Sequence, residues 1–279
     1  MNFDPVINDP KHYDPDYPSS MIPVAFESKG SRLLGTYFTA AGKGPHPVII
    51  LLHGFPGNEN NFDLAHVFRR QGFNVLTFHY RGCWGSQGDY SWENLPDDLG
   101  AAIEFIKSNR GNEKLRADTG KIILAGHSMG GFASLYYSVF NDEIKNVISM
   151  AGFNAGAFGE LLKINKEIYN LSVEKIKFAA TIVNNASAEG LLNQLINHID
   201  DWNLLKYSSK LSLKNLLIIG AEYDTTAPLE IHHLPLIASL KMTGAELLEE
   251  HILRCGHSFA DRRIELARII SNWLTKTRF

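Results

Sequence analysis

Short apolar runs alternate along this chain with longer amphipathic stretches, and that rhythm constrains the fold more than any other feature. Val48 to Leu52, Phe73 to Phe78, Ile122 to Ala125, Val147 to Met150 and Leu216 to Ile219 are each too brief for a helix. Their near-continuous apolar character fits parallel strands buried on both faces. Between them, Leu99, Ala102, Ile103 and Ile106 share one helical face, as do Ile264, Ala267, Ile270 and Leu274 near the C-terminus. The alternation predicts βαβ units in an α/β, mostly parallel, doubly wound sheet.

Three segments depart from the rhythm. Two β-leaning runs, Ile22 to Ser28 and Arg32 to Thr39, flank Lys29-Gly30-Ser31 and predict an N-terminal antiparallel hairpin with Gly30 at positive φ. Residues 1–20, punctuated by Pro5, Pro10, Pro15 and Pro18, read as an arm that cannot hold a helix. About sixty residues separate Met150 from Leu216, far more than an ordinary crossover needs, so an insertion is expected at approximately 154–210. Leu191, Leu192, Leu195, Ile196 and Ile199 show helical spacing there, with Leu161, Leu162, Ile168 and Phe178 as candidates for its other apolar face. The expectation is one domain, 1–279, with a helical lid over the C-terminal edge of the sheet.

Gly126-His127-Ser128-Met129-Gly130 follows directly on the Ile122 to Ala125 run and opens into a helix-compatible stretch from Phe132 to Phe140. A strand, a sharp turn and a helix would hold Ser128 in a strained conformation with its hydroxyl exposed, and a Cβ at 126 or 130 would crowd the turn. A serine hydroxyl is a poor nucleophile at neutral pH and needs a base to take its proton, for which histidine has the suitable pKa. Of the 11 histidines, His257 lies in a loop between the run near Leu247 to Ile252 and the last helix, where the third member of a Ser, acid, His order belongs. His127 would point away from the turn, and His232 and His233 fall in a helix after Pro228. The acid comes from the loop after Leu216 to Ile219, where Asp224 and Glu222 compete; Asp224 lies deeper and is preferred to orient the imidazole. Two N–H donors for a developing oxyanion are expected from Met129 and from Phe55, the latter in His53-Gly54-Phe55-Pro56-Gly57.

Together these segments resemble the α/β-hydrolase superfamily from about Val24 to Trp273, the insertion excepted. Tyr80-Arg81-Gly82-Cys83-Trp84-Gly85-Ser86 and the Asp97-Asp98 helix start are similar to the prolyl-oligopeptidase-type and bacterial carboxylesterase branches, and the position of the insertion resembles lidded cinnamoyl-type esterases. Asp224 stands one residue further from Gly220 than is common in the family. The resemblance implies acyl hydrolysis, with a serine peptidase or amidase as the alternative and a non-catalytic binding protein of the same fold as a more distant one.

Composition narrows the partners. With a formal net charge of −3 and dispersed Lys and Arg, the chain lacks the basic footprint of a nucleic-acid or membrane-surface binder, so a small-molecule ester or short peptide is expected. No apolar run is long enough for a membrane span, and Met1 to Ser20 shows no basic segment followed by an apolar one; the compartment reads as cytoplasmic. The lid either closes over the site or contributes to a homodimer interface. No nucleotide, dinucleotide or zinc motif occurs, so no cofactor and no metal are expected. Cys83 and Cys255 read as buried structural thiols, and Glu93, Asp97 and Asp98 as helix-start acids rather than ligand contacts.

Overall fold

A computed structural model describes residues 3–279, and in it each apolar run lies within a strand, save that Phe73 stands one residue ahead of its strand. Among these residues the strands are β1 (Ser20–Ser28), β2 (Ser31–Thr39), β3 (His46–Leu52), β4 (Asn74–Phe78), β5 (Ala117–His127), β6 (Asn146–Met150), β7 (Asn215–Ala221) and β8 (Leu248–Leu253). They form one sheet in the order β1-β2-β4-β3-β5-β6-β7-β8. The pairs β1/β2 and β2/β4 are antiparallel and all others parallel.

Helices α1 (Phe62–Arg70), α2 (Leu95–Ser108) and α3 (Met129–Val139) connect the first strands. Between β6 and β7 the chain runs through α4 (Ala155–Ile164), α5 (Lys166–Ala180), α6 (Ala188–Asn197) and the single turn α7 (Ser208–Leu211). After β7 come α8 (Leu229–His232), α9 (Leu234–Met242) and, closing the chain, α10 (Arg263–Lys276).

Period-two alternation divides the core. Val48, Ile50 and Leu52 join the layer under α2, α3 and α9, whereas Ile49 and Leu51 join the layer under α1 and α10. All five are buried, which is why the run shows no polar alternation. At the antiparallel edge β1 alternates between part-buried and exposed positions, as a half-buried strand should.

Three local details differ from the sequence-based expectation. Both Lys29 (φ 47°) and Gly30 (φ 78°) adopt left-handed conformations in the hairpin, because a two-residue loop matching the strand twist requires it at both central positions. Ile264 is 65% exposed; α10 buries Leu266, Ala267, Ile270, Trp273 and Leu274, a 3.6-residue stripe from which Ile264 is displaced. Phe178 is 79% exposed because it lies two positions off the Val173, Ile176, Ala180 face that α5 turns inward.

Residues 3–19 contain no helix or strand and lie across the surface. Arg70 Nε donates to the Pro5 carbonyl at 2.7 Å, and an Arg116 guanidinium nitrogen donates to the Pro18 and Ala40 carbonyls at 2.8 Å.

The turn from β5 into α3 leaves no room for side chains on its glycines. A Cβ at Gly126 would lie 2.1 Å from the Gly130 carbonyl oxygen, and one at Gly130 would lie 2.4 Å from that of Leu52. Both obstacles are backbone, which cannot rotate away. Gly126→Ala is therefore expected to destabilise the fold by about 3 kcal/mol or more, the upper range for overpacking. Gly120→Ala, whose Cβ would meet nothing nearer than 3.6 Å, serves as the comparison and should stay within about 0.5 kcal/mol. Equal urea midpoints for the two variants would show that the turn is not constrained as described.

Candidate active site

Strand β5 delivers Ser128 to the C-terminal edge of the sheet at φ 55°, ψ −118°, a conformation costly for any residue with a Cβ. The surroundings hold it there. Its N–H donates to the Met150 carbonyl at 2.9 Å, and its own carbonyl accepts from Phe132 and Phe153 at 3.1 and 3.2 Å. Ser128 and His257 line one cavity, together with Phe55 and Met129. No hydrogen bond joins the Ser128 hydroxyl to the imidazole among the described residues, and in unliganded sites such bonds are commonly long and tighten only when substrate binds.

The two loop acids stand in different surroundings. Asp224 Oδ2 accepts from His257 Nδ1 at 2.6 Å, while Oδ1 accepts from the Thr226 and Ala227 N–H groups at 2.8 and 2.7 Å. Glu222 turns outward and pairs with Arg254 at 3.3 Å. Because β7 continues to Ala221, the extra residue after Gly220 is absorbed by the strand and Asp224 still falls in the following turn. Burial raises the Asp224 carboxyl, but the bond to His257, the imidazole's charge and the Ala227 and Thr226 N–H groups outweigh it and hold the pKa below the usual carboxylate value. An ionised Asp224 fixes the proton of His257 on Nδ1 and leaves Nε2 free to accept one.

His127 departs from a simple outward orientation. Its ring centroid lies 4.7 Å from that of His257, and its Nε2 bonds to the His257 carbonyl at 2.8 Å. Burial, reinforced by the nearby charge of His257, pushes its pKa down to about 4, so the ring is neutral and Nε2–H is the donor. It braces the loop that carries His257 without itself serving as a base. Arg263, just beyond that loop, donates from Nε to Asp63 at 2.8 Å and from a terminal nitrogen to Asn61 Oδ1 at 2.9 Å, anchoring the loop to the start of α1. Neither role is visible in sequence, since each depends on residues more than a hundred positions apart.

Neither the Phe55 nor the Met129 N–H has an acceptor within the protein among the described residues. For Met129 the cause is its place in the first turn of α3, where backbone donors have no intrahelical partner. For Phe55 the cause is His53, which is buried and pushed down to about 3 by that burial, hence neutral. Its Nδ1–H donates to the Gly54 carbonyl at 2.7 Å. The carbonyl and the N–H of one trans peptide point in opposite directions, so holding the Gly54 oxygen also fixes the direction of the Phe55 N–H. Two donors beside a serine on a strained turn can stabilise negative charge on a substrate oxygen.

The remaining residues singled out in the sequence are structural. Asp98 is fully buried and binds Arg81 through Nε at 2.6 Å and through the backbone N–H at 2.9 Å. Glu93 bonds to His198 at 2.9 Å, and Asp97 lies 3.5 Å from Arg81. Cys83 and Cys255 are buried in the cores on opposite faces of the sheet, and burial pushes both thiols up.

A family model described as alpha/beta hydrolase fold matches residues 47–180, the stretch holding Phe55, Ser128 and Met129 but neither Asp224 nor His257. The lysophosphatidylserine lipase ABHD12 of Gallus gallus is 31% identical over 112 residues, 39% of this chain and 28% of its own. An acylaminoacyl peptidase from Pyrococcus horikoshii superposes with a TM-score of 0.69 at 20% identity, covering 93% of this chain and 42% of that one. The Pyrococcus furiosus esterase Pf2001 superposes with a TM-score of 0.64 at 18% identity, over 94% of this chain and 92% of that one. The chain spans about half or less of the length of the curated relatives it matches. With the strand order above, these similarities show that the chain adopts the α/β-hydrolase fold.

Proposed function

We propose that the protein is a serine hydrolase that cleaves carboxylic esters through an acyl-enzyme. Ser128 attacks the carbonyl carbon, His257 Nε2 takes the hydroxyl proton and returns it to the departing alcohol, and Asp224 holds the imidazole. The Phe55 and Met129 N–H groups receive the oxyanion, and water then releases the acyl group by the same route. The observation that carries this reading is the 2.6 Å bond between His257 Nδ1 and Asp224, made beside a serine held at positive φ on the same cavity. The largely apolar lining supports an ester with an apolar acyl group, and esterase and lipase names among the similar proteins point the same way.

A serine peptidase or amidase is the second reading, favoured by the similarity to the acylaminoacyl peptidase. A fluorophosphonate probe should label the protein at Ser128, and matched substrates differing only in an ester or anilide bond should show faster turnover of the ester. Failure to label would overturn the serine chemistry; faster turnover of the anilide would favour the peptidase.

A further inference from the structure

The cavity holding Ser128 and His257 has a volume of about 500 Å³, and its lining is divided in chemistry. Phe132, Phe158, Leu192, Leu195 and Trp202 contribute apolar wall, whereas its ionisable side chains are His257 and Lys175 alone among the described residues. Lys175 stands on α5, exposed, and its Nζ donates to the Thr225 carbonyl at 2.7 Å. Thr225 follows Asp224, the carboxylate bound to His257, so this contact holds the ammonium at the catalytic end of the cavity. Ser172, one turn earlier on the same helical face, adds a hydroxyl to the lining.

The charge of Lys175 is uncompensated. The neighbouring Glu174 is paired with Lys177 at 3.4 Å, and no carboxylate lies within ion-pair distance of Lys175 among the described residues. An ammonium carries three donors, and the Thr225 carbonyl occupies one. The other two have no protein partner among the described residues.

We infer that the site takes a single-chain ester whose apolar acyl group fills the cavity and whose alcohol part carries an anion, phosphate or carboxylate, held by Lys175. This rests on the ester-hydrolase reading above. An unpaired anion on the acyl part would be desolvated against hydrocarbon at large cost, whereas one on the alcohol part meets the ammonium at a solvent-exposed position. Counting about 30 Å³ for each water-sized group, the cavity holds roughly seventeen such groups, which accommodates an acyl chain on the order of ten carbons together with the ester and the start of the alcohol part. Hydrolysis then balances simply: the ester C–O bond breaks, water supplies the new C–O bond, and a fatty acid and an anionic alcohol are released.

Binding is measured on the Ser128→Ala protein, where no turnover intervenes, through the fluorescence of Trp92 and Trp202 in the cavity wall. The ligands are 1-decanoylglycerol, its 3-phosphate and decanoyl glycerate, each below its aggregation concentration; the last two separate phosphate from carboxylate. At least one charged ester should bind about tenfold more tightly than the neutral one, the free energy of one charge-assisted hydrogen bond. Lys175→Gln should abolish that ratio and Lys175→Arg should keep it, whereas a merely structural role would weaken all three ligands alike. The same ratio should appear in kcat/KM of the Ser128 protein. Equal affinity for all three esters, or a ratio that survives in Lys175→Gln, would overturn the proposal. Selective binding without hydrolysis of any of them would keep the anion site and overturn the ester chemistry; hydrolysis of all three at equal kcat/KM would do the reverse.

Discussion

Ser128→Ala is expected to lower turnover of short p-nitrophenyl esters by roughly 10⁶-fold, the scale seen when the serine of such a triad is removed. The thermal midpoint should stay close to that of the unaltered protein, since alanine keeps the backbone hydrogen bonds that hold the turn. Asp224→Asn should cost about 10⁴-fold, because an amide favours the wrong tautomer of the base. Glu222→Gln should change little, its partner being Arg254 on the surface. Undiminished turnover in Ser128→Ala would remove the serine from the mechanism, and equal losses at 222 and 224 would remove the assignment of the acid.

The second large effect is on stability in mild acid. His53, His127 and His232 are buried, and burial depresses their pKa values to about 3, 4 and 3. The unfolded chain takes up these protons near pH 6.5 and the folded chain refuses them, so folding is favoured above that pH and loses ground below it. The loss continues until the folded-state values of 3 to 4 are reached. Each histidine contributes about 1.4 kcal/mol per pH unit well below pH 6.5, or about 4 kcal/mol per unit for the three. Asp224, whose carboxyl is held low, adds stability that is lost in the same direction as the pH falls further. Against a total of about 5–15 kcal/mol for an ordinary domain, this should bring acid unfolding near pH 5. Urea midpoints measured between pH 7 and 4.5 should fall steeply; a flat profile would mean that these rings are hydrated or charged in the folded protein.

The strands, the central turn and the choice of Ser128, Asp224 and His257 as candidates could be read from the sequence because each has a local signature. Continuous burial on both faces gives an apolar run, and a turn without space gives glycines at 126 and 130. What could not be read depends on contacts formed only in three dimensions. His53 looks like part of a turn until its bond to the Gly54 carbonyl is seen, and His127 looks irrelevant until it meets the loop of His257. Phe178 and Ile264 mislead for a different reason: helical spacing allows several faces, and only packing decides which is turned inward.

The loop of His257 is tied by Arg263 to Asp63 and Asn61, two hundred residues earlier, and by its own carbonyl to His127. During synthesis, then, a chain not yet extended past Arg263 would hold the serine turn without the proposed base tied in place. Under the proposed chemistry, activity toward esters should arrive only once the segment from His257 to Arg263 has docked, so that shorter chains remain chemically silent.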